Sequence, residues 1–316
     1  MRTRTLQGEM RNKIIITLGS WSGVISLDRG ACCESLRNTR YGARILREPP
    51  EGGELDNPYL YGMPILFPVN RIDGGSFEFE GRKYSFPINE PSTGCHLHGE
   101  LHRMAFEVAE QSESKIVCRY KANSGEYLGF PHAFEIKQEY ELKEDGFYHT
   151  VTVTNLSEEN MPVFLGFHTT FNTLFTSESR PEDIYAYADI SEEYERYMEI
   201  NYLPTGVKPD FDEVSASLSD GTYKPFEGKT SRHYRGQGKM SLTDVGRGLR
   251  MVYENDEKYG FRLIYNGGDE GYICLEPQTC LANCQNSPFS REEGGFDYIE
   301  AGKCKVYRSR IYLEDI

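Results

Sequence analysis

From Met104 to Asn155 the chain alternates apolar and polar residues with a period of two, and no helical period persists through the stretch. HTVTVTN, His149 to Asn155, is the plainest case: threonines interleave with valines, as on a strand with one wet face. FEVAEQ, KIVCRYKA and FEIKQEYEL are further strands, separated by turn chemistry at Asn123-Ser124-Gly125 and Lys143-Glu144-Asp145-Gly146. A chain written this way has to fold through hairpins.

Both ends repeat the pattern. Lys13 to Leu46 reads as paired strands, IIITLGSWSGVISLD being broken by glycine turns, and KMSLTD, GLRMVYE, FRLIYN, YICLEP and CKVYRSRIYLED follow from Lys239 onward. Two stretches differ. Thr176 to Tyr202 is acidic and tyrosine-rich, with a short helix expected around SEEYERYMEI, and Lys208 to Lys229 is expected to be loop-like with a short strand. REPPEGGELDNP reads as a surface loop, either at the rim of a site or simply solvated. With no solenoid repeat and no low-complexity linker, the expected fold class is all-β: an antiparallel β-sandwich in a single domain over residues 1–316.

Composition narrows the partners. A net charge of −14 would repel phosphates, so neither nucleic acid nor an anionic membrane is expected as a partner. No segment reaches the eighteen or so apolar residues of a span. The basic N-terminus MRTRTLQGEMRNKIIITLGSW carries only Ile14-Ile15-Ile16 as an apolar run, too short for a signal core, so a cytoplasmic location is expected. Eight cysteines contain no CxxC pair and are expected to be reduced thiols. The 22 tyrosines and 17 phenylalanines suit strands.

The densest chemistry lies in CHLHGELH, Cys95 to His102, which holds three of the seven histidines. His96 and His98 alternate with Cys95 and Leu97, so on a strand both imidazoles would share a face. Downstream, GFHTTF around His168 and CLEPQTC around Glu276 supply another imidazole and a carboxylate from separate extended runs. Histidines and a glutamate gathered from three strands make an acid/base site. A single strand histidine is more often structural, and HxH can also be half of a metal site. The polar Asn70-Arg71 just upstream weakens both alternatives, because a guanidinium suits hydroxyls or an anion better than a cation.

GMPILFPVNRIDGG, a glycine-bearing hairpin and then HLHG resemble the aldose 1-epimerase (galactose mutarotase-like) family. The resemblance continues in order through FPHAFEIKQEYEL, NMPVFLGFHTTF, YLPTG at Tyr202 to Gly206, and CLEPQT. It implies one large, twisted two-sheet supersandwich with a sugar site on its concave face. It also implies interconversion of the α and β anomers of a hexose, with no metal and no cofactor: a base takes the anomeric proton while an acid protonates the ring oxygen. Carried over by motif, Glu276 matches the base, His168 the acid, His98 the second histidine near the ring oxygen, and Arg71 an arginine holding sugar hydroxyls, with Asn70 beside it. Activity near neutral pH would then need Glu276 ionised while His168 is protonated. His96 is carried as a candidate substrate-binding residue but expected behind the site or in a structural role, His102 further out, and His132 and His149 in structural roles.

One departure bears on the substrate. Galactose-type members carry an Asp-His pair after the acidic middle segment; here SRHYRG places Arg232 before His233, unless Asp210 or Asp212 takes the aspartate's part. Arg232 is therefore a candidate substrate contact, and with Arg40, Arg44 and Arg235 it keeps open a hexose-6-phosphate 1-epimerase. A non-catalytic carbohydrate-binding or regulatory protein on the same fold is the alternative of another class. A cupin-like metal enzyme fits poorly, since Glu100 stands too close to the histidines. The expected partner is a small sugar, free or phosphorylated, bound by a monomer or homodimer.

Overall fold

Period-two alternation becomes a set of antiparallel ladders in a computed structural model that describes residues 12–50, 52 and 55–316. The reading of the N-terminal segment through Arg11, and of Glu51, Gly53 and Glu54 in the acidic loop, lies outside the described residues.

Among the described residues the main sheet has thirteen strands. Glu107–Gln111, Lys115–Ala122, Phe134–Lys143 and Gly146–Asn155 form a meander, and Gly146–Asn155 pairs with the last strand, Cys304–Asp315. The order continues through Leu249–Asn255, Thr230–Asp244, Phe261–Asn266 and Tyr272–Gln278 to Gly166–Phe167 and Ile65–Leu66. A four-stranded sheet, Lys13–Leu18, Trp21–Ser26, Cys32–Asn38 and Ala43–Arg44, covers part of it. Gln138 Nε2 donates to the Gly30 carbonyl at 2.6 Å and Tyr140 Oη to the Ala31 carbonyl at 2.8 Å, tying the two sheets together.

Between the sheets lies one apolar cluster. Ile16, Ile25 and Leu36 from the small sheet meet Phe134, Ile136, Val151 and Val153 from the large one, all of them fully buried. Each such side chain contributes roughly 1.5–3 kcal/mol through loss of water contact, which fixes the strand register because a one-residue slip would expose the whole row. The fold is thus the all-β, antiparallel sandwich that the alternation implies.

Two local expectations are corrected. SEEYERYMEI begins as strand: Ile184–Tyr194 pairs with Thr230–Asp244, and Ala186, Ala188 and Ile190 are buried at every second position. Cross-strand pairing there prevails over helix propensity. In the stretch read as loop-like, Glu213–Asp220 is an α-helix, N-capped by Asp212, whose carboxylate accepts from the Ser215 N–H at 3.0 Å, and closed by Gly221 at φ +80°. All eight cysteines are free thiols, and no helix among the described residues is long and apolar enough to cross a membrane.

Candidate active site

Gly166–Phe167 and Thr170–Asn172 are two short strands on the same edge of Tyr272–Gln278, interrupted between them. The ladder that pairs Gly166 with Gln278 and Thr170 with Cys274 sets His168 opposite Glu276. At the interruption His168 leaves the ladder and donates its N–H to the Pro64 carbonyl at 3.1 Å. Its Nε2 lies 3.2 Å from Glu276 Oε1. That approach lacks hydrogen-bond alignment, so Oε1 has no hydrogen-bond partner among the described residues, whereas Oε2 accepts from Gln278 Nε2 at 3.1 Å.

His98 arrives from a different ladder. Arg71–Asp73 pairs with Cys95–Leu97, and beyond it Asn70 and His98 both turn left-handed, at φ +61° and +60°. Their backbones stay locked: His98 N–H donates to the Asn70 carbonyl at 3.0 Å, and Asn70 N–H donates to His98 Nδ1 at 3.2 Å. A neutral imidazole accepting at Nδ1 carries its proton on Nε2. Gly99 follows at φ +61°, where any Cβ would run into the Phe67 carbonyl, which is why the motif reads HLHG.

These side chains line a cleft of about 690 Å³ together with Tyr59, Arg71, Arg196 and Tyr202. Tyr59 sits on a 3₁₀ turn, Pro58–Leu60, capped by Asn57, and its ring centroid is 4.8 Å from that of His98 and 5.9 Å from that of His168. Arg71 is held in a bidentate pair by Glu90, Nε–Oε2 2.6 Å and Nη2–Oε1 2.7 Å, and lies over the Tyr202 ring. Burial would raise the Glu90 carboxyl, but the hydrogen bonds from Arg71 and Thr93 outweigh it and hold it below its ordinary value. Arg196 is buried, with Nη2 donating to the Ser231 carbonyl at 2.6 Å and to Ser231 Oγ at 3.0 Å; no described carboxylate pairs with it.

Electrostatics here run opposite to the expected charge state, Glu276 ionised with His168 protonated. Burial pushes Glu276 up to about 8, a rise that Gln278, Arg196 and Arg71 only moderate, and burial pushes His168 down to about 4. Burial disfavours both charged forms, so the resting pair holds one proton with both groups neutral. Once the two groups align, transfer of that proton from Oε1 to Nε2, atoms 3.2 Å apart, creates the ion pair without changing the net charge.

Of the residues singled out in the sequence, Asn70, Arg71, His98, His168 and Glu276 meet at the cleft. His96 does not share the face of His98. The strand ends at Leu97, the left-handed residue redirects the chain, and His96 is buried against Phe86 with Nδ1 2.7 Å from the Pro87 carbonyl. Arg232 also points away: Ser231 lines the cleft, and the alternation sends Arg232 to Glu193 at 3.0 Å and Asp212 at 2.6 Å. Asp212 caps the helix and Asp210 is exposed, neither of them at the cleft. Arg40, Arg44 and Arg235 likewise lie by carboxylates elsewhere, on Asp315, Glu48 and Glu192. His102 packs under Tyr59, His132 bonds Tyr84 and Ser157, and His149 bonds Gln138. Sequence reasoning missed Tyr59, Arg196 and Gln278. Gln278 sits within the CLEPQT motif and Tyr59 between REPPEGGELDNP and GMPILFPVNRIDGG, whereas Arg196 was hidden in the segment read as helix. No group of three or more His, Cys, Asp or Glu side chains among the described residues is arranged to hold a metal ion.

The model of the aldose 1-epimerase family matches residues 15–303. Among curated proteins, YphB of Escherichia coli (strain K12), itself uncharacterized, is 27% identical over 109 residues, 34% of this chain and 36% of that protein. The chromosomal LacX protein of Lactococcus lactis subsp. lactis is 30% identical over 134 residues, 41% of this chain and 43% of that protein. The matched stretches thus span well under half the length of these curated relatives. A galactose mutarotase-like protein from Clostridium acetobutylicum superposes with a TM-score of 0.89 at 27% identity, covering 96% of this chain and 95% of that one. A galactose 1-epimerase from Lactobacillus acidophilus NCFM shares the fold, with a TM-score of 0.70 at 15% identity over 96% of this chain and 94% of that one.

Proposed function

The chain belongs to the aldose 1-epimerase family, and from that premise and the geometry of the cleft we propose that it interconverts the α and β anomers of a hexose by acid/base ring opening and closure. The observation that carries this reading is the unpartnered Oε1 of buried Glu276, 3.2 Å from His168 Nε2 at the cleft. Shifting the shared proton onto His168 arms the pair. Glu276 Oε1 then takes the proton of the anomeric hydroxyl as the C1–O5 bond breaks, and His168 gives its proton to O5. C1 becomes an aldehyde, the C1–C2 bond rotates, and the reverse transfers close the ring on the other face. The open-chain stage returns the pair to its neutral resting form, which burial favours. His98 Nε2–H donates toward the ring oxygen, and Arg71 holds hydroxyls, while Asn70 beside it has both ends of its amide engaged within the protein. The chemistry needs no cofactor.

The test is polarimetry with fresh α-D-glucose and α-D-galactose. Wild-type protein should accelerate equilibration of at least one, and Glu276→Gln and His168→Asn should each lower turnover by roughly 10²–10⁴-fold. A Glu276→Gln protein of undiminished activity would sink the mechanism. If the wild type accelerates no sugar, free or anionic, the carbohydrate-binding reading replaces it.

A second reading of the substrate rests on Arg196. The charge of Arg71 is met by Glu90, whereas Arg196 faces the cleft with no carboxylate partner among the described residues. A buried guanidinium that makes no ion-pair contact and feels Glu276 and Glu193 only at longer range favours a sugar that carries an acidic substituent, such as a hexose 6-phosphate. Equilibration of glucose 6-phosphate faster than glucose, with the advantage lost in Arg196→Met, would select this substrate class.

A further inference from the structure

The two sides of the cleft are joined by a buried chain of hydrogen bonds whose polarity can be read from the backbone outward. The Arg71 N–H can only donate, and Asn70 Oδ1 accepts it at 2.9 Å. The other end of that amide is therefore Nδ2, which donates to Gln278 Oε1 at 3.1 Å. Gln278 is oriented in turn, so that Nε2 donates to Glu276 Oε2 at 3.1 Å. Asn70 also donates its own N–H to His98 Nδ1 at 3.2 Å. Asn70 is 1% exposed, Gln278 and Glu276 are fully buried, and His98 is 7% exposed, so water offers little competition. A flipped amide at Asn70 or Gln278 would set two like groups against each other inside the protein.

We propose that Asn70 and Gln278 are positioning residues that decide where the site's protons sit. Gln278 occupies Glu276 Oε2, leaving Oε1 as the only oxygen able to exchange a proton with substrate or His168. Asn70 orients Gln278 and at the same time holds His98 in the tautomer whose proton is on Nε2. The proposal rests on the anomer-interconversion reading for its kinetic consequences, but the direction of the chain does not depend on it.

Two experiments test it. In wild-type protein, ¹⁵N NMR of the histidine rings at pH 7 should show His98 with a bare Nδ1 and a protonated Nε2; a proton on Nδ1 would overturn the chain whether or not any sugar is turned over. Gln278→Met keeps the volume and removes the donor. It should lower kcat for anomer interconversion by roughly 10–10²-fold with KM changed less than about threefold, because a misdirected carboxylate hurts the transition state more than binding. The same variant should move the alkaline limb of the pH profile up by roughly one unit, since the ionised carboxylate loses a charge-assisted hydrogen bond. Asn70→Asp, which cannot donate to Gln278 when ionised, should move the limb the same way. A lowered melting temperature with an unmoved limb would reduce both residues to packing and overturn the proposal. Wild-type protein inactive on every sugar would defeat the functional reading instead, and the His98 tautomer would still decide the chain.

Discussion

His98 lines the cleft while His96, two residues earlier in the same segment, is buried outside it against Phe86. Strict alternation would have put both imidazoles on one face. The left-handed backbone at His98, φ +60°, separates them and leaves one histidine facing the cleft and one in the packing.

Their replacements should therefore diverge. His98→Asn is expected to lower kcat/KM for anomer interconversion by roughly 10²-fold or more, through loss of the donor at the ring oxygen. His96→Asn should cost less than about tenfold, because only packing and the bond to Pro87 change. Equal losses, measured by polarimetry on folded proteins, would contradict the division.

The pH profile should be a broad bell. His168 is held down to about 4 and Glu276 pushed up to about 8, so the pair retains its single proton between these values. Above about 8 that proton leaves Glu276 and no acid remains; below about 4 a second proton binds His168 and no base remains. A single limb centred near the ordinary histidine value would show that the pair does not share its proton in this way.

Stability should vary with pH through the same carboxyl. Its pKa when folded, about 8, lies above the ordinary 4.5, so the favourable contribution is complete below about 4.5 and is lost as pH rises through about 8. Glu276→Gln cannot ionise and should be more stable than wild type at pH 9 by about 1–2 kcal/mol, with little difference at pH 5. Urea melts at the two pH values check the sign.

Arg232 and Arg196 should separate fold from recognition. Arg232→Ala breaks the pairs with Glu193 and Asp212, away from the cleft, and should leave KM within about twofold while lowering stability by roughly 0.5–1 kcal/mol. Arg196→Met removes a cation from the cleft wall and should raise KM by roughly tenfold or more for whichever sugar proves to be the substrate. Reversal of this order would restore Arg232 as the substrate contact.

Gly99→Ala should be among the most damaging of small substitutions. The added carbon would meet the Phe67 carbonyl oxygen at a left-handed position, so a loss of more than about 2 kcal/mol is expected, together with loss of the His98 geometry. Thermal melting at wild-type level would refute it.

What the sequence determined by itself is what short-range pattern can carry. Period-two burial foretold strands such as Gly146–Asn155 and Cys304–Asp315, and the resemblance of the ordered motifs to a family brought His98, His168, Glu276, Arg71 and Asn70 forward as candidates, which line one cleft. Where pairing with a distant strand outweighed local preference, the reading failed: Ile184–Tyr194 is strand against Thr230–Asp244, and Arg196 follows it into the cleft rather than lying on a helix. Tertiary structure alone decided which alternating neighbour faces the site, because a single left-handed residue undoes the alternation that pattern relies on. It also decided the charge state of the pair. A carboxyl is pushed up to about 8 by what surrounds it, and the strands that bury Glu276 come from segments as distant as Gly166–Phe167, beyond the reach of any local pattern.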